Sequence, residues 1–448
     1  MKKLIVGIIL LFFVTNLLFS QGNFVIQNKK TTSKIKFKLI NNLIILPVEV
    51  NGVTLSFLLD TGVSKPILFN FLNITDTLKI KNSETIYLQG LGKGEAVEAL
   101  RSSNNIFKIG DAINLNQELY AIYDNNLSFA PRLGVPVHGI IGFDVFKNMV
   151  VHINYVKQHI KLTESDKYEY RNCKNCESLS LEFYNNKPYV NATVQIEKKT
   201  IPIKLLIDSG GSDSLWLFEN DSLGIGSSDK HFYDFLGHGL SGSIYGKRSK
   251  VQAFSLKSFV LHDANVAYPD SLSITLAKRF KGRNGSLAGN ILKRFHVVFD
   301  YRRAKITLKK NSKFNEKFRY NKSGIELSHD GFRLIKERDD GEINLSAIPS
   351  VRSDNVPNSN KIVLDARYKI VLKPAYAIVE LRENSPAQIS GLTIGDIILE
   401  VNGVSTHKMS LQQVMDLFYG EIGKHMKLKV DRDGLILGFD FYLEDLFK

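Results

Sequence analysis

Cysteine is almost absent from this chain of 448 residues: Cys173 and Cys176 are the only two, in Arg-Asn-Cys-Lys-Asn-Cys-Glu. A structural zinc site takes four ligands, and no second cysteine pair or nearby histidine pair completes a set, so no metal centre is expected. Two readings fit the pair itself: a small local disulfide in an oxidising compartment, or two exposed thiols in a connector. Neither carries catalysis. Runs of like charge are missing as well. The formal net charge is +14, yet lysines and arginines are scattered among acidic residues, which excludes a nucleic-acid patch and leaves the charge to solvation.

Long hydrophobic runs are confined to one place. Met1-Lys2-Lys3 precedes an apolar stretch from Leu4 to Phe19, followed by Ser20-Gln21-Gly22. This is the pattern of a secretory signal over residues 1–21. An uncleaved anchor helix is the alternative, because the run approaches bilayer length and Leu18 is not the small residue expected at the −3 position. Membrane attachment is expected only in that second case, and no cysteine stands near the run to carry a lipid. The chain is read as exported, to the periplasm, the cell envelope or the medium.

What the sequence has in quantity is strand-forming material. Hydrophobic residues make up 44%, and short apolar runs rich in Ile, Val, Phe and Tyr are broken by Asn, Asp, Lys and many of the 32 glycines. The length suggests two to four domains, mainly β.

One duplication organises them. Ser56-Phe57-Leu58-Leu59-Asp60-Thr61-Gly62 returns as Ile203-Lys204-Leu205-Leu206-Ile207-Asp208-Ser209-Gly210. Downstream, His138-Gly139-Ile140-Ile141-Gly142 has its counterpart in Ser286-Leu287-Ala288-Gly289. Asp60 and Gly142 are 82 positions apart, Asp208 and Gly289 are 81 apart, so order and spacing repeat together. Val150 to Leu162 and Val297 to Leu308 each read as a hairpin closing one copy. Ahead of each Asp stands a strand pair: Leu43 to Val50 and Val53 to Leu59 around Asn51-Gly52, and Pro188 to Glu197 and Thr200 to Ile207 around Lys198-Lys199. Two β lobes follow, residues 34–163 and 180–310, joined by a connector over 164–179.

An Asp-Thr-Gly or Asp-Ser-Gly tripeptide alone reads as a turn, the carboxylate capping it and the glycine supplying a positive φ. Here each one ends a buried strand and is matched by an apolar-apolar-Gly. Two carboxylates, one per lobe, can then meet across an axis and share a proton, one acting as acid and the other as base.

These residues resemble the aspartic peptidases of the pepsin and retropepsin clan, over about residues 34–310, with lobes of the shorter, retroviral-type size. The resemblance implies a bilobal aspartic-protease β-barrel fold of pseudo-twofold duplicated lobes. It implies Asp60 and Asp208 as the catalytic pair holding a water that attacks a peptide carbonyl, with no metal, cofactor or covalent intermediate. Thr61, Gly62, Ser209, Gly210, Gly142 and Gly289 would support the active-site loops. Flaps would come from Ile86 to Gly94 and Phe235 to Gly242, for which a surface loop is the other reading. His231 and His238 read as surface residues rather than ligands. The chain departs from the family after each tripeptide, where Val63 and Gly211 stand in place of the usual Ser, Thr or Ala, with Ser64 and Ser212 one place later.

Near the C-terminus, Glu383 to Gly403 runs as helix turn, tight turn, strand and hairpin turn, and closely resembles a bacterial PDZ domain, here read over 318–448. Ser410 to Tyr419 follows as an amphipathic helix. By that resemblance a C-terminal peptide would be held by a Gly-apolar-x-apolar loop. Gly324, Ile325, Glu326 and Leu327 are the preferred loop and Tyr368 to Leu372 the alternative. The first choice makes about 329–362 an insertion, with Phe332 to Lys336 and Glu342 to Ile348 as its hairpin.

Three functional classes remain: an exported aspartic endopeptidase with a PDZ substrate selector, an inactive peptide-binding relative, and a PDZ scaffold of the cell envelope. The first leads, with a polypeptide substrate and a monomeric chain expected.

Overall fold

The computed structural model describes residues 22–69, 78–80, 83–123, 130–170, 172–338 and 368–447. The apolar run at Leu4 to Phe19 lies outside them. Among the described residues no helix is long and apolar enough to cross a membrane. The chain is mainly β, in two related lobes and a C-terminal domain.

In the first lobe, strands β1 (Leu43–Val50) and β2 (Val53–Leu59) pair antiparallel, and β3 (Gly139–Ile141) lies parallel beside β2, with Ile141 opposite Leu59. Asn51 and Gly52 both adopt positive φ (50° and 90°), the geometry of a two-residue hairpin turn and the reason this dipeptide stands there. After β3 comes β4 (Met149–Asn154). The second lobe repeats the plan with β5 (Lys187–Ile196), β6 (Lys199–Asp208), β7 (Gly285–Ala288) parallel to β6, and β8 (Phe295–Asp300). Its turn is Glu197-Lys198, one residue earlier than the sequence suggests, with φ of 53° at Glu197.

The closing hairpins do more than end each copy. β4 and β8 pair antiparallel, Val150 opposite Asp300 through Asn154 opposite His296. They form the centre of a six-stranded sheet shared by both lobes, whose edges are Thr32–Lys36 and Cys176–Ser180. The connector thus ends as a sheet strand, and its two cysteines are joined as a disulfide. Apolar side chains from both lobes pack into one core, in which Phe146 meets Phe299 edge-on at 5.3 Å and stacks on Tyr301 at 5.0 Å.

The C-terminal domain has its own core, around Ile325, Ile378, Val401, Val414, Phe418 and Val430. Its longest elements, β9 (Ile325–Arg338) and β10 (Tyr368–Leu381), form one antiparallel ribbon from Ile325 opposite Leu381 to Arg338 opposite Tyr368. This corrects the expected hairpin within the insertion. Phe332 to Lys336 pairs with Ile370 to Pro374, so Tyr368 to Leu372 is a strand and not a carboxylate loop. Gly331, with φ of 62°, sits in the register shift between His329 and Phe332 and lets one strand run on where the sequence suggests a break. Glu342 to Ile348 lies outside the described residues.

This domain is held against both lobes by a polar seam. Tyr320 donates to the carbonyls of Ser249 (2.6 Å) and Val266 (3.0 Å). Glu380 takes Arg132 from the first lobe at 3.2 Å and the Tyr245 hydroxyl from the second at 3.0 Å. Arg382 stands 3.6 Å from Asp234, which also pairs with Arg248 at 2.9 Å. Glu326 is drawn into this cluster, where burial first and Asp234 second push its carboxyl up to about 7. A carboxyl raised in the folded state stabilises that state while protonated and loses the contribution as the unfolded chain ionises, between pH 4.5 and 7. Glu326→Gln is therefore expected to match the native chain near pH 4.5 and to exceed it by about 3 kcal/mol at pH 8, read as thermal unfolding at both pH values.

Candidate active site

Asp60 follows the last residue of β2 and Asp208 is the last of β6, so each leaves its sheet at the same point of the duplicated lobe. The chain turns immediately afterwards. Gly62 N–H donates to Asp60 Oδ1 at 2.6 Å, and Gly210 N–H donates to Asp208 Oδ1 at 3.1 Å. A side chain at Gly210 would begin 2.3 Å from Asp60 Cγ, so only glycine lets the second loop pass this close to the first carboxylate. Gly142 and Gly289 have the same reason to be glycine. A Cβ there would lie 2.0 Å from the Asp60 carbonyl oxygen and 2.5 Å from that of Asn42.

Below the carboxylates the loops lock reciprocally. Thr61 Oγ1 donates to the Ile207 carbonyl (2.6 Å) and accepts from Ser209 N–H (3.0 Å). Ser209 Oγ donates to the Leu59 carbonyl (2.8 Å) and accepts from Thr61 N–H (3.0 Å). Both side chains are fully buried.

The result is a carboxyl pair within mutual hydrogen-bonding reach and held above the usual carboxylate range. Burial and then Asp208 raise Asp60 to about 7, while Gly62 N–H and Lys187 pull the other way. Asp208 is also raised by burial, but it faces more that favours its anion: Arg283, Lys187, and the N–H groups of Gly210 and Gly211. The two are therefore raised together and titrate as one pair. The missing hydroxyls at Val63 and Gly211 are partly made good by the Gly211 backbone. Ser64 and Ser212 serve elsewhere: Ser64 Oγ donates to the Asn185 carbonyl at 2.9 Å, and the Ser212 carbonyl accepts from Asn42 Nδ2 at 2.7 Å.

Those two contacts reveal a part of the repeat that reading from motif to motif missed. Asn41-Asn42 and Asn185-Asn186 are matching turns, all four residues at positive φ, placed just before β1 and β5. Each reaches the active-site loop of the opposite lobe. Lys187, directly after the second turn, is a site residue that motif reading did not find. Hairpin register could have found it, because Tyr189 opposite Leu206 sets Lys187 opposite Asp208.

The two glycine-rich segments meet each other. Strands Ser83–Leu88 and Val97–Ile109 carry the first tip, and Phe232–Gly239 and Gly242–Leu256 the second. Ser241 N–H donates to the Leu91 carbonyl (2.9 Å), and Gly94 N–H donates to the Ser241 carbonyl (2.7 Å). Backbones cross so closely that a Cβ at Gly92 would fall 2.3 Å from the Ser241 oxygen. His231 is exposed and bonded to the Ser228 carbonyl, while His238 lies half-buried near the second tip, 3.2 Å from Ser243 Oγ. Among the described residues no cluster of His, Cys, Asp or Glu is placed to hold a metal ion.

The loop at Gly324 to Leu327 is brought to the seam rather than to the dyad. Asn321 Oδ1 accepts from Ser323 N–H (3.0 Å), Ser323 Oγ (2.8 Å) and Gly324 N–H (3.3 Å), and Ser323 Oγ accepts from Ile325 N–H (3.0 Å). Two backbone donors of this loop, the N–H groups of Gly324 and Ile325, are thus engaged within the domain. The first turn of β9 also packs against the short lobe-one helix Ala130–Leu133, and Gly134 abuts Leu411 at the start of helix Leu411–Asp416.

Comparison with known families agrees with this architecture. Residues 46–145 match the family model of aspartyl proteases, and residues 378–432 match that of PDZ domains. The first match spans Asp60 through Gly142 and stops short of the second lobe. No curated protein matches the chain.

Removing the Thr61 hydroxyl orphans a buried carbonyl and a buried N–H at once. Thr61→Val is expected to lower stability by about 2–4 kcal/mol, whereas Thr61→Ser costs less than about 1 kcal/mol, both read by chemical denaturation.

Proposed function

We propose that this chain is an aspartic endopeptidase with a docked PDZ domain, and that Asp60 and Asp208 are its catalytic pair. The observation that carries this reading is the reciprocal lock of Thr61 and Ser209 beneath two carboxyl groups raised together. Such a pair holds one proton at neutral pH because two adjacent anions cannot both be accommodated.

The chemistry then runs as follows. A water held between the carboxyls loses a proton to Asp208 as its oxygen bonds to the scissile carbonyl carbon, and Asp60 gives its proton to the carbonyl oxygen. The tetrahedral diol that results passes a proton through the dyad to the amide nitrogen, and the C–N bond breaks to give an acid and an amine. The dyad ends with one proton, as it began. The crossing tips around Leu91 and Ser241 serve as the cover that must part for a polypeptide to enter. Export is part of the reading, supported by the leader-like run at Leu4 to Phe19 and by the Cys173–Cys176 disulfide.

Cleavage of an unstructured polypeptide such as denatured casein is expected, and it should survive chelators. Asp60→Asn or Asp208→Asn should each lower kcat/KM by about a thousandfold. Activity unchanged in either variant would sink the assignment. Above a pH of about 7 Asp60 loses its proton and the dyad becomes doubly anionic, so kcat/KM should fall as pH rises through that value. The alkaline limb of a pH profile measures it, with Lys187, Arg283, Tyr189 and Tyr301 the other titratable groups facing the pair among the described residues.

A further inference from the structure

The two lobes share a backbone plan but not a charge pattern beside the dyad. In the first lobe, Ile45 opposite Leu58 sets Leu43 opposite Asp60. In the second lobe the equivalent position, opposite Asp208, is Lys187. The same comparison applies across the parallel pairs. Gly139 opposite Phe57 and Gly285 opposite Leu205 make Val137 and Arg283 equivalent, each two residues ahead of its glycine. Leu43 and Val137 are buried and apolar. Both changes put a cation on the second-lobe side.

Arg283 is held in place. Its Nε donates to the Gly285 carbonyl (3.0 Å), an Nη donates to Ser286 Oγ (2.6 Å), and the guanidinium lies over the Phe218 ring at 5.2 Å. Ser286 is opposite Leu206 on the strand that ends at Asp208. Lys187 differs. It is partly buried and within electrostatic range of both Asp60 and Asp208, yet its ammonium makes no hydrogen bond or salt bridge among the described residues.

Charge does not balance here within the protein. The charged groups facing Lys187 are Asp60, Asp208 and Arg283, and those facing Arg283 include Asp208 and the Tyr189 hydroxyl. A dyad sharing one proton carries a single negative charge against these two cations. Partly buried cations left in excess are costly unless an anion joins them. Among the described residues no further carboxylate faces either.

We propose that Lys187 and Arg283 form a carboxylate-binding subsite on the second-lobe wall of the dyad, so that the chain selects polypeptides with an acidic group next to the scissile bond. The group is either an internal Asp or Glu side chain or a free C-terminal carboxylate. This rests on the peptidase reading for its effect on cleavage, but not for its effect on binding.

Two measurements on the full chain separate the ideas. The first is cleavage-site profiling of a proteome-derived peptide library by mass spectrometry. Asp and Glu should be enriched about tenfold over Asn and Gln at one position beside the cut, the scale of a charge-assisted hydrogen bond. Lys187→Met should bring that ratio to about one, and Lys187→Arg should restore most of it. Cuts clustered beside free C-termini would identify the terminal carboxylate as the ligand. The second measurement is fluorescence anisotropy with two pools of labelled, C-terminally amidated ten-residue peptides carrying a fixed central Glu or Gln, and the Gln pool repeated with a free C-terminus. If neither pool is cut, but the carboxylate-bearing pools bind about tenfold tighter and lose this in Lys187→Met, the subsite stands and the peptidase reading fails. Cleavage or binding indifferent to carboxylates in the native chain overturns the subsite.

Discussion

Four backbone groups at the centre of this molecule find their partners across the lobe boundary, and two hydroxyls satisfy them all. The N–H groups of Thr61 and Ser209 and the carbonyls of Leu59 and Ile207 are met by the side chain of the opposite loop. An unpaired polar group in so buried a place costs about 1–3 kcal/mol, so neither loop is complete alone. Much else depends on that mutual requirement. It sets the carboxyls side by side, brings backbone so close that only glycine fits at 142, 210 and 289, and works together with the six-stranded sheet to hold the lobes in one relation.

Within that frame the lobes are alike in backbone and unlike in electrostatics. Matching Asn-Asn turns reach across to the opposite active-site loop, and matching strands deliver matching aspartates. The side chains around them then diverge. The first lobe surrounds Asp60 with Leu43 and Val137, while the second places Lys187 and Arg283 near Asp208 and adds the Gly211 N–H. A duplicated scaffold can thus set two identical residues in unlike surroundings while they titrate as one pair. The C-terminal domain is tied to the second lobe alone at this point, since Arg382 meets Asp234, and Asp234 pairs with Arg248, which also pairs with Asp213 at 2.8 Å.

Much of this was legible before any coordinates. The spacings from Asp60 to Gly142 and from Asp208 to Gly289 state that one unit occurs twice, and a duplicated Asp-hydroxyl-Gly leaves few arrangements other than a paired site. Asn51-Gly52 announced its hairpin because the turn needs two positive φ values. Reading failed where pairing is set at long range. Phe332 to Lys336 was matched to the nearest strand-like segment, whereas its partner begins beyond that segment at Ile370, and the fusion of both closing hairpins into one sheet has no local signature. Gly324 to Leu327 matches a binding loop by residue type, and residue type does not reveal that Asn321 and Ser323 take the N–H groups of Gly324 and Ile325.

The sequence by itself determined the repeat, the strands, the turns and the two aspartates, because those follow from periodicity, apolar runs and φ preferences carried by a few neighbouring residues. Only the tertiary structure decided what surrounds the aspartates: which cation stands opposite Asp208, which backbone N–H replaces a missing hydroxyl, and which loop is closed. These depend on burial and on distances between residues far apart in the chain, and burial is a property of the packed molecule, not of any segment.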